Sequence, residues 1–259
     1  MSNLTVVGLY VGEDTIELGL ESYRSIRLND HQVNLLFYCY SCQLTSYTRQ
    51  ELSKLRVGII NLMTLQPQLS SFSQLKYSQY ETSEFNQITS LKWLVIMHSL
   101  KSLRESSILF VDSDIQFYSH FPYLDFINIL SSFSIFAQDE GTQVFPRKAC
   151  TGLLGFSNTI SNKRLIATLY LAQLQALGSG LQVHDQDIFN HFIHNNPSLH
   201  KDIYFLSNVL FPTGISAPMF KNYDLDKGPI KPCRLPIAFH ANCVVGIDKK
   251  RQFLNAMRK

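Results

Sequence analysis

Residues 108–114, ILFVDSD, carry four apolar side chains straight into two aspartates separated by one serine. Two carboxylates this close repel, and an apolar run leaves little water around them. One would be protonated, or both destabilised, unless positive charge lies beside them. A divalent cation is the usual partner, because hard cations bind carboxylate oxygens at about 2.0–2.6 Å. The plainer alternative is a strand that ends with Asp112 and Asp114 facing water. Three further sets of polar residues stand at strand ends or helix starts: Thr151 and Gly152 after KAC, Asp185, Gln186 and Asp187 before IFN, and His240 and Asn242 after PIAF. Asp187 is placed to cap its helix and Asn242 to fix the turn beside His240, while His184 belongs at a rim.

The elements that must position these groups follow from the hydrophobic pattern. LTVVGLYV (4–11), NLLFYCY (34–40) and VGIINLM (57–63) have the apolar continuity of buried strands. Helical segments separate them, the first opening at GEDTIE with Asp14 and Glu17 in capping-box-like positions. A long helix is predicted over 85–103, with Ile88, Leu91, Leu94, Val95, Met97 and His98 on or beside its inner face. His98 is expected to pack rather than to ligate. Further helices are predicted at 122–130, from Asn158 to about Leu177 and at 184–193. A short strand is predicted at 134–137, a loop, QDEGTQVFPRK, leads from it to ACTGLLGFS (149–157), and PIAFHANCVVGIDKKRQFLNAM closes the chain as a short strand, a turn and a last helix. Such alternation predicts a largely parallel sheet covered on both faces, in one domain spanning 1–259. In such sheets ligands bind outside the carboxyl ends of the strands, where the polar sets fall.

Bulk properties exclude several classes. Of 259 residues, 45% are hydrophobic and 17% charged, which are globular values. The net charge is 23 − 20 = +3, and no basic–aromatic stripe appears, so nucleic acid is not expected as the main ligand. No apolar run reaches the roughly 18 residues needed to span a bilayer. The start, MSNLTVVGLYVG, lacks the basic and small-residue pattern of a signal peptide, which points to a cytoplasmic protein. Cys39 and Cys42 form a C-x-x-C without a second pair at zinc-site spacing, so plain thiols are expected there.

Taken in order, LFVDSDIQF, CTGLLGFSNT, HDQDIFN and FHANCVVGIDKK resemble the nucleotide-sugar glycosyltransferases of the GT-A fold. The resemblance is to the retaining group that contains the plant xylosyl- and arabinosyltransferases, and more distantly to the glycogenin type. It covers residues 85 to about 254. The resemblance implies an α/β GT-A fold and transfer of a sugar from a nucleotide-sugar donor, a UDP-sugar above all, to an acceptor that the sequence does not specify. It implies that Asp112, Asp114 and His240 hold manganese or magnesium, with Ser113 between the aspartates in the donor site. Asp185 and Gln186 match the pair that faces the transferred sugar, the amide lying under the anomeric carbon. Thr151 and Gly152 resemble a turn that approaches the sugar or acceptor closely. Gly246 with Lys249 or Lys250 matches a late element whose lysine meets the diphosphate. Lys92 matches a basic residue on the helix before the D-x-D, although a solvated lysine is an equal alternative. Loops at 64–84 and 207–235 are expected to shape the acceptor pocket.

Two alternatives remain open in the sequence. A haloacid-dehalogenase-type phosphatase also carries an apolar run into D-x-D, but on its first strand, and it has a later D-D pair that is absent here. A catalytically inactive transferase fold that only binds sugars is the second.

Overall fold

The computed structural model describes residues 3–66, 82–103, 106–141, 147–216, 223–224, 228–229, 236–242 and 244–258. Most of the two loops expected to form the acceptor pocket lies outside the described residues. The first half alternates β1 (Asn3–Val11), α1 (Asp14–Asn29), β2 (Asn34–Tyr40), α2 (Ser46–Lys54), β3 (Val57–Asn61) and the short α3 (Leu62–Leu65). Next come α4 (Ser83–Ser102), β4 (Ser106–Val111), β5 (Ile115–Phe117), α5 (Tyr123–Ser132), β6 (Ile135–Asp139) and β7 (Ala149–Phe156). The chain continues through α6 (Ile160–Gly178), α7 (Asp185–Asn195), α8 (Pro197–Lys201) and β8 (Ile203–Leu206). It ends with β9 (Tyr223–Asp224), β10 (Gly228–Pro229), β11 (Ala238–His240) and α9 (Ile247–Ala256).

Seven strands form one sheet in the order β3-β2-β1-β4-β7-β6-β8. Every neighbouring pair is parallel except those made by β7, which runs against both β4 and β6. The reversal has a simple cause: the nine residues between β6 and β7 are fewer than the dozen or so that a crossover to a parallel neighbour needs. Along β1, Leu4, Val6 and Tyr10 face one apolar cluster while Val7 and Val11 face another, the period-2 alternation of a strand buried on both sides. The first cluster packs β1 against Ile16, Leu20 and Tyr23 of α1 and Phe126 of α5. The second packs it against Trp93 and Leu94 of α4, Ile166 of α6 and Phe189 of α7. The layers are therefore α/β/α, as the sequence pattern predicts.

β3, expected to be buried, is an edge strand that stops at Asn61 with Gly58, Ile59 and Asn61 exposed, and two further details depart from the expectation. The start of α1 is not a capping box: Glu13 makes no side-chain cap bond, and Thr15 Oγ1 instead accepts from the Val11 N–H at 3.0 Å. Gln138 and Asp139, expected in a loop, extend β6. His98 packs as expected, accepting from or donating to Tyr38 Oη through Nδ1 at 2.9 Å. Cys39 and Cys42 are free thiols. Among the described residues no helix is long and apolar enough to cross a membrane.

Candidate active site

The D-x-D leaves the sheet at the carboxyl end of β4. The Asp112 N–H continues the ladder to the Gly152 carbonyl of β7 at 2.8 Å, and the chain turns through Ser113 into β5. β5 pairs antiparallel with β11, which sets His240 opposite Ile115, and the Ala241 N–H donates to the Asp114 carbonyl at 3.0 Å. His240 Nε2 thereby lies 3.2 Å from Asp114 Oδ1 and 3.8 Å from Asp112 Oδ2. One ligand atom from each of the three falls within 4.8 Å of the others. Two carboxylates and an imidazole are a donor set that suits manganese, which takes both oxygen and nitrogen ligands.

Protein cations already flank both aspartates. Lys250, on α9, reaches Asp114 Oδ2 at 2.5 Å, and Lys92, on α4, lies 3.4 Å from Asp112. Burial pushes the Asp114 carboxyl up, but Lys250 and His240 outweigh it and hold the group well below the usual carboxylate range. Burial prevails at Asp112, whose pKa is raised against the pull of Lys92 and His240. Burial alone would lower His240; the Cys150 sulfur and the Asp114 carboxylate instead push it up to about 10. The like-charge pair that the sequence presents is thus split by its surroundings, one member strongly ionised and the other resisting ionisation.

β7 shapes the floor of the site. Ala137 of β6 pairs with Leu154, but the next residue, Gln138, pairs with Cys150, which leaves Thr151, Gly152 and Leu153 without a β6 partner. This bulge frees backbone groups that other residues satisfy. The Thr151 N–H donates to Gln186 Oε1 at 3.3 Å, and its carbonyl accepts from Lys92 Nζ at 3.1 Å. Thr151 and Gly152 therefore lie within a bulged strand, not in the turn that the resemblance suggests. Gly152 is needed for a close approach, but to a side chain of the protein: a Cβ there would stand 2.1 Å from Cε1 of His240.

Lys92 is 5% exposed, so the solvated alternative fails. Its ammonium meets Asp185 Oδ2 at 2.6 Å and lies 5.0 Å from the centre of the Phe110 ring. Asp185 opens α7 and also accepts from Thr151 Oγ1 at 2.5 Å. Burial raises the Asp185 pKa, but Lys92 and His184 override it and hold the carboxylate well below its ordinary range. Lys92, for its part, is raised: burial lowers it, and Asp112 and Asp185 more than compensate. Gln186 is locked at both ends of its amide, since Nε2 donates to Glu140 Oε1 at 2.6 Å. Asn190, one turn on, pins α7 to β7 through the Ala149 N–H and carbonyl at 2.8 and 2.9 Å.

The register left open at the late lysines is settled by α9. Gly246 caps that helix at φ 94°, Lys249 is exposed, and Lys250 points at Asp114. Asp187 caps α7, its carboxylate accepting from the His184 N–H at 3.4 Å, and Asn242 accepts from the Gly214 N–H at 2.8 Å, both as expected. Ser113 is half-buried at the turn. Sequence reasoning missed Gln138 and Cys150, buried against His240, and Glu140, buried against Gln186. Gln138 carried a usable signal, being the first polar residue after the apolar run SIFA.

The fold has known counterparts. The chain resembles mouse xyloside xylosyltransferase 1 with a TM-score of 0.57 at 14% identity, over 94% of this chain and 99% of that one. It resembles the glycosyltransferase GlyE of Streptococcus pneumoniae with a TM-score of 0.62 at 14% identity, over 100% of this chain and 61% of that one. The galactosyltransferase LgtC, solved with donor and acceptor sugar analogues, gives a TM-score of 0.58 at 10% identity, over 98% and 96%. No curated protein matches the chain in sequence. Residues 46–254 match the family described as nucleotide-diphospho-sugar transferase, and with a GT-A sheet and its site residues at the carboxyl edge the chain belongs to that family of glycosyltransferases.

Proposed function

We propose that the protein is a metal-dependent, retaining glycosyltransferase that uses a UDP-sugar. The observation that carries this reading is the Asp112–Asp114–His240 cluster facing Asp185 and Gln186 across the β7 bulge. The three ligands would hold manganese or magnesium, which supplies Lewis-acid neutralisation of the departing nucleoside diphosphate. Lys250 stands close enough to the cluster to pair with the diphosphate as a point charge. Asp185, ionised and fixed by Lys92 and Thr151, is suited to accept hydrogen bonds from sugar hydroxyls. The Gln186 amide, held on both sides, offers a fixed dipole to positive charge developing at the anomeric carbon.

An amide is a poor nucleophile, so same-face displacement is favoured over a covalent intermediate. The bond from the anomeric carbon to the phosphate oxygen breaks as the acceptor oxygen bonds to that carbon, and the acceptor proton passes to the leaving phosphate. LgtC and the xylosyltransferase move a hexose and a pentose respectively, and either sugar class fits this proposal. The phosphatase alternative falls with the family assignment, and the D-x-D here follows the fourth strand rather than the first.

Calorimetric titration of uridine diphosphate, with manganese and then with a chelator, tests the proposal. Binding that requires manganese is expected, and Asp114→Ala is expected to abolish it while the far-UV spectrum is unchanged. Absence of binding with uridine, guanosine and cytidine diphosphates alike would refute the reading.

A further inference from the structure

Gln138 sits at the residue where the β6–β7 register breaks, and it is 1% exposed. The irregularity sets its carboxamide against His240. The Gln138 Nε2 donates to the carbonyls of Phe211 at 3.0 Å and Pro212 at 3.2 Å. Those two acceptors decide the orientation of the amide, because the flipped form would put oxygen against oxygen. Gln138 Oε1 is left facing His240 Nδ1 at 3.2 Å. A carbonyl oxygen can only accept, so a neutral imidazole must carry its single proton on Nδ1. Cys150 Sγ lies at the same 3.2 Å from Nδ1, but thiol sulfur is a weak partner and does not set the tautomer. Nε2 then presents its lone pair, and Nε2 is the atom that faces Asp114 and Asp112.

We propose that Gln138 is a positioning residue of the cation site, holding His240 in the tautomer and ring orientation that turn Nε2 toward the ion. The inference rests on the assignment of Asp112, Asp114 and His240 as cation ligands, and adds the residue that presets one of them. Partners of this kind commonly change metal affinity by about 10–100-fold.

The test is manganese binding followed by electron paramagnetic resonance, with and without uridine diphosphate. Gln138→Leu is expected to weaken manganese binding by at least about tenfold. Gln138→Glu, in the protonated form whose hydroxyl can replace Nε2 as donor to the Phe211 and Pro212 carbonyls, keeps an oxygen on Nδ1 and is expected to retain it. Equal affinity in the unaltered protein and Gln138→Leu overturns the proposal and leaves the cation site standing. No manganese uptake by the unaltered protein overturns the cation site, and the proposal with it. Should Gln138→Leu fail to fold, nitrogen-15 spectra of the magnesium-loaded unaltered protein decide the matter. The His240 signals are identified by their loss in His240→Asn. A proton on Nδ1 with none on Nε2 supports the proposal, and a proton on Nε2 overturns it.

Discussion

At Gly152 a single methyl group would collide with the His240 ring, at 2.1 Å from Cε1 and 2.6 Å from Nδ1. The ring must move or the strand must shift, and the ring is the softer of the two. Gly152→Ala is therefore expected to keep the fold, checked by circular dichroism, and to lower manganese affinity by about tenfold or more. Unchanged affinity would mean that His240 does not ligate. Lys92 makes the opposite kind of contribution. Its ammonium is the one described cation in contact with both Asp112 and Asp185, inside a water-poor pocket. Lys92→Met keeps the bulk of the side chain but leaves Asp185 buried without its counter-charge. Urea denaturation is expected to show a loss of about 3–5 kcal/mol. A loss near zero would show that Asp185 had become protonated at little cost.

Helix α4 is tied to the sheet at two places of different character. Midway along the helix Lys92 reaches into the site; nearly two turns later His98 meets Tyr38 of β2 and Ser102 of its own helix. Burial, with Lys101 adding to it, lowers the His98 pKa from its ordinary value. The unfolded chain then binds the proton more readily than the native one. The stability from neutral His98 is complete above the unfolded value of about 6.5 and is lost as pH falls through the lower native value. The urea midpoint should drop between about pH 7 and about pH 5, and the drop should be smaller in His98→Gln. Equal drops would remove His98 from the account. A third small cluster, in which Phe253 and Leu254 of α9 and Met257 just beyond it pack with Phe239 and with Leu18 of α1, fixes the helix that delivers Lys250.

Across the whole molecule, residues from α4 to α9 close one site on a sheet whose own packing lies elsewhere. Ligand binding should therefore raise the stability of the whole fold by mass action. At a hundredfold excess over Kd the gain is about 2.7 kcal/mol, and a chain of this size shifts roughly 2–4 °C per kcal/mol. Manganese with uridine diphosphate at that excess is expected to raise Tm by about 5–10 °C. Asp114→Ala should show no such rise. An undiminished rise in that variant would place the nucleotide away from the cluster.

Most of the fold was legible because its signals are local. The apolar runs of β1, β2 and β4, the polar residues that interrupt them and the start of α7 at Asp185 are written in adjacent residues. The D-x-D, the Asp185–Gln186 pair and His240 were found in the same way, as polar groups at strand ends and helix starts. The rest depends on pairing between distant segments, which no local pattern encodes. The reversal and bulge of β7 are matters of register, and they convert Gly152 from a turn residue into the space for an imidazole. Glu140 and Gln138 gain meaning only from Gln186 and His240, which lie 46 and 102 residues away in the chain. The sequence by itself determined which chemistry the chain carries and on which elements. Tertiary structure decided that Lys250 rather than Lys249 reaches Asp114, because helix α9 can turn only one of two adjacent side chains toward the aspartates.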